Sequence, residues 1–298
     1  MRFVVAVMVL AALGLALWRW WPGKGLADEA FAALYAQPLK AEAPRAVYHL
    51  GHSLVGRDMP AMLAALGGHR YASQLGWGAS LMNHWTGEVP GFAEENGSAA
   101  FRAAGEALDS GDYSVVVLTE MVELRDAIRW HDTGHYLAEW ARRARAADPD
   151  VRVYLYETWH RLDDPEGWAT RIAKDRTALW ENRVLRPAVA EVGAIHVIPG
   201  GQVMAALVAD AEAGRLPGIA GRKDFFADDI HLTDLGAYAI ALVHYAVIYG
   251  RSPEGLPHQA PRADGVMAGA PSPAAALAMQ KVVWRIVSGY PLAGVPVE

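Results

Sequence analysis

The chain has 298 residues, no cysteine, and a formal net charge of −6 from 27 basic and 33 acidic side chains. Without cysteine there is no disulfide framework, no thiolate nucleophile and no cysteine-held zinc. A net negative charge and the lack of a long basic run speak against a nucleic-acid partner, and the length fits one α/β catalytic domain with an appendage.

Met1-Arg2 leads into an uncharged apolar run, residues 3–18, closed by Arg19-Trp20-Trp21-Pro22. Sixteen helical residues span roughly 24 Å, short of a bilayer core unless the flanking tryptophans, which favour the headgroup region, extend it. Residues 1–21 therefore read as an uncleaved anchor that meets the membrane through residues 3–21, with the catalytic domain exported. A signal peptide cut near Gly25-Leu26-Ala27 is the main alternative; a buried soluble helix is disfavoured because the run has no polar face. Arg2 on one flank and Arg19 with Lys24 on the other leave the positive-inside count undecided. Residues 22–44 read as a Gly/Pro-bounded linker holding a short helical stretch, 28–36.

The folded domain, residues 45–298, begins near Arg45. Short apolar strand candidates at 46–50, 70–74, 114–118, 151–156 and 194–198 alternate with helical patterns at 59–66, 98–108, 133–147, 167–192, 202–213 and 233–249. Such alternation predicts an α/β fold, a three-layer α/β/α sandwich with a mainly parallel sheet. The Pro/Ala/Gly-rich stretch 252–273 reads as a surface crossing. A last helix over 273–287 carries Met279, Val282, Val283 and Ile286 at helical spacing, so it packs back on the domain.

The first strand runs into His49-Leu50-Gly51-His52-Ser53-Leu54, placing Ser53 just beyond the carboxyl end of a buried parallel strand, where open α/β sheets hold their ligands. Gly51 permits a tight exit turn and keeps the serine accessible. A serine there also serves as a helix N-cap, so Ser53 alone decides nothing. Far downstream, Asp228 and His231 stand three apart in Phe226-Ala227-Asp228-Asp229-Ile230-His231-Leu232-Thr233, before an amphipathic helix that Thr233 is placed to cap. One short turn can thus supply an imidazole to take the serine proton and a carboxylate to fix its tautomer. Taken without Ser53, the same residues read as a capping aspartate and a surface histidine.

Together, Gly51-His52-Ser53-Leu54 and Asp228-x-x-His231 resemble the SGNH/GDSL hydrolase superfamily, over residues 45–249 and through a few short blocks. The resemblance implies a flavodoxin-like α/β/α esterase in which Ser53 is the nucleophile, Asp228 the orienting acid and His231 the base. Its glycine block matches Gly76-Trp77-Gly78-Ala79-Ser80, so the amides of Gly78 and Ser53 are the expected oxyanion donors. Two departures stand out. His52 replaces the aspartate of Gly-Asp-Ser-Leu, and the block after the third strand reads Val117-Leu118-Thr119-Glu120-Met121-Val122-Glu123 where the family has Gly-x-Asn-Asp. The family's asparagine donor is missing, which leaves Thr119 or a backbone amide to replace it. Glu120 is then free to bind substrate hydroxyls or to orient Asn83.

Trp77 and Trp159 are candidate aromatic platforms, and Glu157-Thr158-Trp159-His160-Arg161 and Gly200-Gly201-Gln202 are further loops where a substrate is gripped. His131 and His135 share a helical spacing, but no third ligand accompanies them, so no metal and no cofactor is expected. The second glycine of a Gly-x-Ser-x-Gly elbow is replaced by Val55, which disfavours a classical α/β-hydrolase. The expected partner is a small-molecule or glycan acyl ester, cleaved through an acyl-serine. Two alternatives stay open: an envelope glycan O-acyltransferase using the same serine, and a glycan-binding protein on an inactive hydrolase fold.

Overall fold

The computed structural model describes residues 25–296, so the anchor read at residues 1–21 lies outside the described residues. Among the described residues, no helix is long and apolar enough to cross a membrane. Five strands, β1 (Ala46–His52), β2 (Arg70–Gly76), β3 (Val115–Thr119), β4 (Arg152–Glu157) and β5 (His196–Pro199), form one parallel sheet in the order β2-β1-β3-β4-β5. Every residue of β1 and β3 is buried. Runs such as Val115-Val116-Val117-Leu118 are therefore apolar throughout, as a sheet covered on both faces requires.

The strand order reverses between β1 and β3, so right-handed crossovers place the following helices on opposite faces. Helix α1 (Asp58–Gly67), in the β1–β2 crossover, shares one face with α4 (Asp234–Tyr249), which also packs against α3 (Gly200–Glu212) and α5 (Pro273–Ser288). The other face carries α2 (Thr133–Ala147), which packs on Leu81–Thr86, Ala104–Asp109 and Arg186–Val192. Residues 236–249 of α4 are all buried, which explains why that helix is apolar on every side.

The strands extend one or two residues further at their carboxyl ends than the apolar runs indicate, as far as His52, Gly76, Thr119, Glu157 and Pro199. The expected helix at 98–108 is a helix only over Ala104–Asp109. Upstream of it the chain pairs with the edge strand instead, through Ser73 N–H to the Ala100 carbonyl (2.9 Å) and Arg102 N–H to the Ser73 carbonyl (3.2 Å). The stretch 167–192 is helical from Trp168, but residues 176–185 wind as a π-helix directly before Arg186-Pro187. Pro187 has no N–H to continue an α ladder, and the wider winding accommodates that gap.

The segment read as a linker is docked from residue 25 onward. Phe31 and Tyr35 are buried, the Tyr35 hydroxyl donates to the Ile195 carbonyl (2.9 Å), and Leu39 N–H donates to the Gly294 carbonyl (2.7 Å). The stretch 252–273 is more than a surface crossing. It folds into a hairpin around the Pro261/Met267 bridge and ties two helix starts together, with Ala263 N–H on Asp58 Oδ1 (3.0 Å) and Gly269 N–H on Asp234 Oδ2 (2.7 Å). Both aspartates stand a few residues beyond the residues considered next.

Candidate active site

In open parallel sheets the loops beyond the switch point part to form a crevice, here between the carboxyl ends of β1 and β3. Ser53 directly follows β1, in a turn closed by Val55 N–H and Gly56 N–H on the His52 carbonyl (2.9 and 3.2 Å). Gly51 is required for space more than for turning. A Cβ there would lie 2.7 Å from Thr119 Cβ and 2.9 Å from Val55 Cγ2, so only glycine lets β1 approach the end of β3.

The second half of the site arrives on the loop before α4. Asp228 Oδ1 accepts the N–H groups of Ile230 (2.8 Å) and His231 (2.7 Å), a local turn that fixes the carboxylate relative to the imidazole. Its other oxygen, Oδ2, accepts His231 Nδ1–H (2.7 Å), which leaves Nε2 as an acceptor facing Ser53 Oγ at 3.0 Å. The backbone N–H of His231, then its ring and the Ile230 amide, hold the Asp228 carboxyl down at a pKa of about 2. His231 and Asp228 are half-exposed, at 47% and 56% of their side-chain surface.

Three supports hold this exposed loop. Thr233 caps α4 by accepting Gly236 N–H (3.2 Å) and donates its hydroxyl to the Asp224 carbonyl (2.6 Å). Gly236 lies against the same loop, where a Cβ would stand 2.3 Å from the Phe225 carbonyl oxygen. From the β4 side, Trp159 Nε1–H donates to the Ile230 carbonyl (2.9 Å), Leu162 N–H donates to the Asp229 carbonyl (2.7 Å) and Arg161 pairs with Asp229 (3.1 Å). Trp159 is 1% exposed, so it cannot be the platform expected from its position; its indole is committed to the His231 loop and packs edge-on against Phe226.

At the ends of β4 and β5, residues 157–160 and 200–201 are buried, and of the segments 157–161 and 200–202 only Arg161 is exposed. Glu157 is buried with Oε2 on the N–H groups of Gly201 (2.8 Å) and Gln202 (3.2 Å), capping α3, and burial pushes its pKa up to about 7. Thr119 is fully buried beside Gly51, away from solvent. Asn83 is not oriented by Glu120: its Oδ1 accepts Ser80 N–H (3.0 Å) and the Ser80 hydroxyl (2.8 Å), closing a capping box at the start of Leu81–Thr86. Of the five residues expected to touch substrate, Trp77 is the exposed one, at 54%. Its indole N–H donates to Glu95 (2.9 Å), Glu95 faces Arg57 in the serine loop (3.7 Å), and the ring lies on Gly91, where no Cβ fits.

Gly78 sits in the loop after β2 with φ +53°, a left-handed conformation that glycine adopts at no steric cost. The β1–β2 ladder runs to the pair His52/Gly76, so Ser53 and Trp77-Gly78 leave the sheet edge side by side. The Gly78 N–H has no acceptor among the described residues.

Two buried histidines brace the serine turn from behind, and sequence reasoning assigned neither a role. His52 donates Nε2–H to the Glu120 carbonyl (2.8 Å) while Nδ1 accepts Leu54 N–H (3.3 Å), and burial lowers its pKa to about 4. His84 donates Nε2–H to the Gly51 carbonyl (2.8 Å) and accepts from Gln74 Nε2 (2.9 Å); burial lowers its pKa to about 4 too. Nothing in the spacing of residues 80–84 singles out His84, because its partners Gln74 and Gly51 come from neighbouring strands. His131, weighed as a metal ligand, donates Nδ1–H to Ser80 Oγ (2.9 Å), and no group of three metal-binding side chains forms among the described residues.

Compared with protein-family models, with curated proteins and with solved structures, the chain finds no match.

Proposed function

We propose that the protein is a serine hydrolase of the SGNH/GDSL type that cleaves acyl esters through an acyl-serine intermediate. The observation that carries this reading is the unbroken hydrogen-bond chain from Ser53 Oγ through His231 to Asp228, made by residues 178 positions apart. The strand order and the place of Ser53 after β1 agree with the flavodoxin-like arrangement that the resemblance implies.

In this mechanism His231 Nε2 takes the Ser53 hydroxyl proton as Oγ attacks the ester carbonyl. The new imidazolium is stabilised by Asp228, and the carbonyl electron pair moves onto the oxygen facing the Gly78 and Ser53 amides. Collapse breaks the bond to the alcohol, which leaves with the His231 proton. Water then repeats the sequence on the acyl-serine, giving the acid and restoring Ser53. Half-exposed His231 and Asp228 keep the acyl-serine open to water, which favours hydrolysis over transfer to a sugar hydroxyl.

The test is p-nitrophenyl acetate turnover by the full chain in detergent beside its Ser53→Ala variant, with both confirmed folded by circular dichroism. Turnover that disappears with Ser53 is the expected result. Equal rates in both proteins would remove Ser53 as nucleophile and this reading with it.

A further inference from the structure

Glu120 stands directly after β3, where the resemblance expects a short loop ending in the missing asparagine, and it bonds to both loops that carry the oxyanion donors. Its backbone carbonyl accepts His52 Nε2–H (2.8 Å), one residue before Ser53. Its side-chain Oε1 accepts Met121 N–H (2.7 Å) and Leu81 N–H (3.3 Å), the latter at the far end of the loop 77–80 that holds Gly78. The near end of that loop is fixed by the β1–β2 ladder and by Trp77 N–H on the Pro90 carbonyl (2.7 Å). Trp140 Nε1–H on the Leu81 carbonyl (3.0 Å) adds a second hold at the far end. Between these clamps Gly78 has no contact that a side chain would meet and no acceptor for its N–H, so the clamps decide where that amide points.

Glu120 is fully buried, so it cannot touch substrate. Burial raises its pKa to about 7, and Oε2 has no hydrogen-bond partner among the described residues, with Thr133 as its neighbour. A carboxyl kept in so unfavourable a setting needs a compensating use, and the bond to Leu81 supplies one.

We infer that Glu120 is a positioning residue that sets the separation of the Ser53 and Gly78 amides, and so replaces structurally what the absent asparagine would supply chemically. The inference rests on the serine-hydrolase reading. Oxyanion donors act only within a few tenths of an ångström of their productive position, and losing one typically costs about 10²- to 10³-fold in kcat.

The experiment compares Glu120→Ala and Glu120→Gln in the full chain. It measures p-nitrophenyl acetate kinetics, inhibition by an alkyl trifluoromethyl ketone, which forms a tetrahedral adduct on the serine, and the unfolding midpoint. Glutamine keeps an oxygen that can accept from both Leu81 and Met121, so Glu120→Gln is expected to hold kcat within about fivefold. Glu120→Ala is expected to lose kcat by about 10²-fold with KM within about threefold, and to weaken ketone inhibition by a comparable factor. Equal losses in the two variants, or a fall in kcat with undiminished ketone affinity, overturn the inference. If the unsubstituted chain shows no Ser53-dependent turnover, the hydrolase reading falls first and the inference with it. Normal turnover with an unaffected Glu120→Ala variant removes the inference alone.

Discussion

Asp228→Asn separates the two tasks of this carboxylate, because the structure assigns one to each oxygen. Oδ1 holds the turn through Ile230 N–H and His231 N–H, and Oδ2 accepts His231 Nδ1–H. Asparagine keeps the first oxygen and its two bonds, so the loop stays in place. Its amide N–H₂ then faces Nδ1, which must become the acceptor and shift the ring proton to Nε2. A protonated Nε2 cannot take the Ser53 proton. In a buried triad that tautomer error costs about 10⁴-fold in kcat. Here the Asp228 side chain is 56% exposed, so water competes with the amide and part of the ring population keeps the productive tautomer. The expected loss is about 10²- to 10³-fold, or roughly 3–4 kcal/mol of transition-state stabilisation. Steady-state p-nitrophenyl acetate kinetics and thermal unfolding are the assays, with Asp228→Ala as the contrast because it also loses the turn. Asp228→Asn activity within fivefold of the unsubstituted chain would refute the assigned tautomer. A melting point as low as that of Asp228→Ala would refute the separation of tasks.

Trp159→Phe keeps an aromatic ring against Phe226 but strands the Ile230 carbonyl, so we expect a loss of about 1–2 kcal/mol in urea unfolding and a several-fold fall in kcat as the His231 loop loosens. Burial holds His52, His69, His84, His196 and His244 at a pKa of about 4, and His49 also well below its usual value. The unfolded chain therefore binds more protons at these sites between about pH 4 and 6.5, and their contribution to stability, complete above 6.5, is lost as pH falls through that window. Glu120 and Glu157, raised to about 7, act in the opposite sense between about pH 4.5 and 7, but they are two against six, so the urea midpoint is expected to drop on going from pH 7 to pH 5. An unchanged or higher midpoint at pH 5 would contradict the neutral assignment of these histidines.

What the sequence disclosed about the site was the part whose chemistry is local. Asp228 and His231 meet across a single turn, and Thr233 caps the helix that follows, so their spacing together with Ser53 was enough to pair them. Ser53 lies just beyond the carboxyl end of an apolar strand, and the parallel sheet that holds this strand follows from the alternating βα pattern. The strands were legible because buried parallel strands read as apolar runs; their last residues, such as Gly51-His52 and Leu75-Gly76, were not, because there the ladder pairing continues through glycine and histidine, which carry no strand signal. Residues 100–102 defeated the helix pattern because Ser73, about thirty positions away, offers them backbone partners. Trp159 was misassigned for a similar reason. Its place after β4 fits a lining residue, and only the arrival of the Ile230 carbonyl from another loop shows that the indole is committed inward.

The division between what was legible and what was not follows the physical demands of the site. Proton transfer needs specific functional groups at contact distance, so it leaves residue types that cannot be exchanged: a hydroxyl, an imidazole and a carboxylate. Oxyanion stabilisation by backbone N–H groups needs no particular side chain at the donor, only a rigid path. That rigidity is distributed over residues with no shared sequence signature, here His52, His84, Glu120 and Trp140, which bond to main-chain groups of Glu120, Gly51 and, for the last two, Leu81. A missing asparagine therefore reads as a lost function in the sequence, whereas on the proposed hydrolase reading the buried Glu120, bonded to His52 and Leu81, holds the two loops that would carry the donors. Ser53 and the half-exposed His231 and Asp228 rest on this buried frame, so if they act as the proposed triad, substitutions in the frame should act on kcat through geometry and those in the triad through proton chemistry.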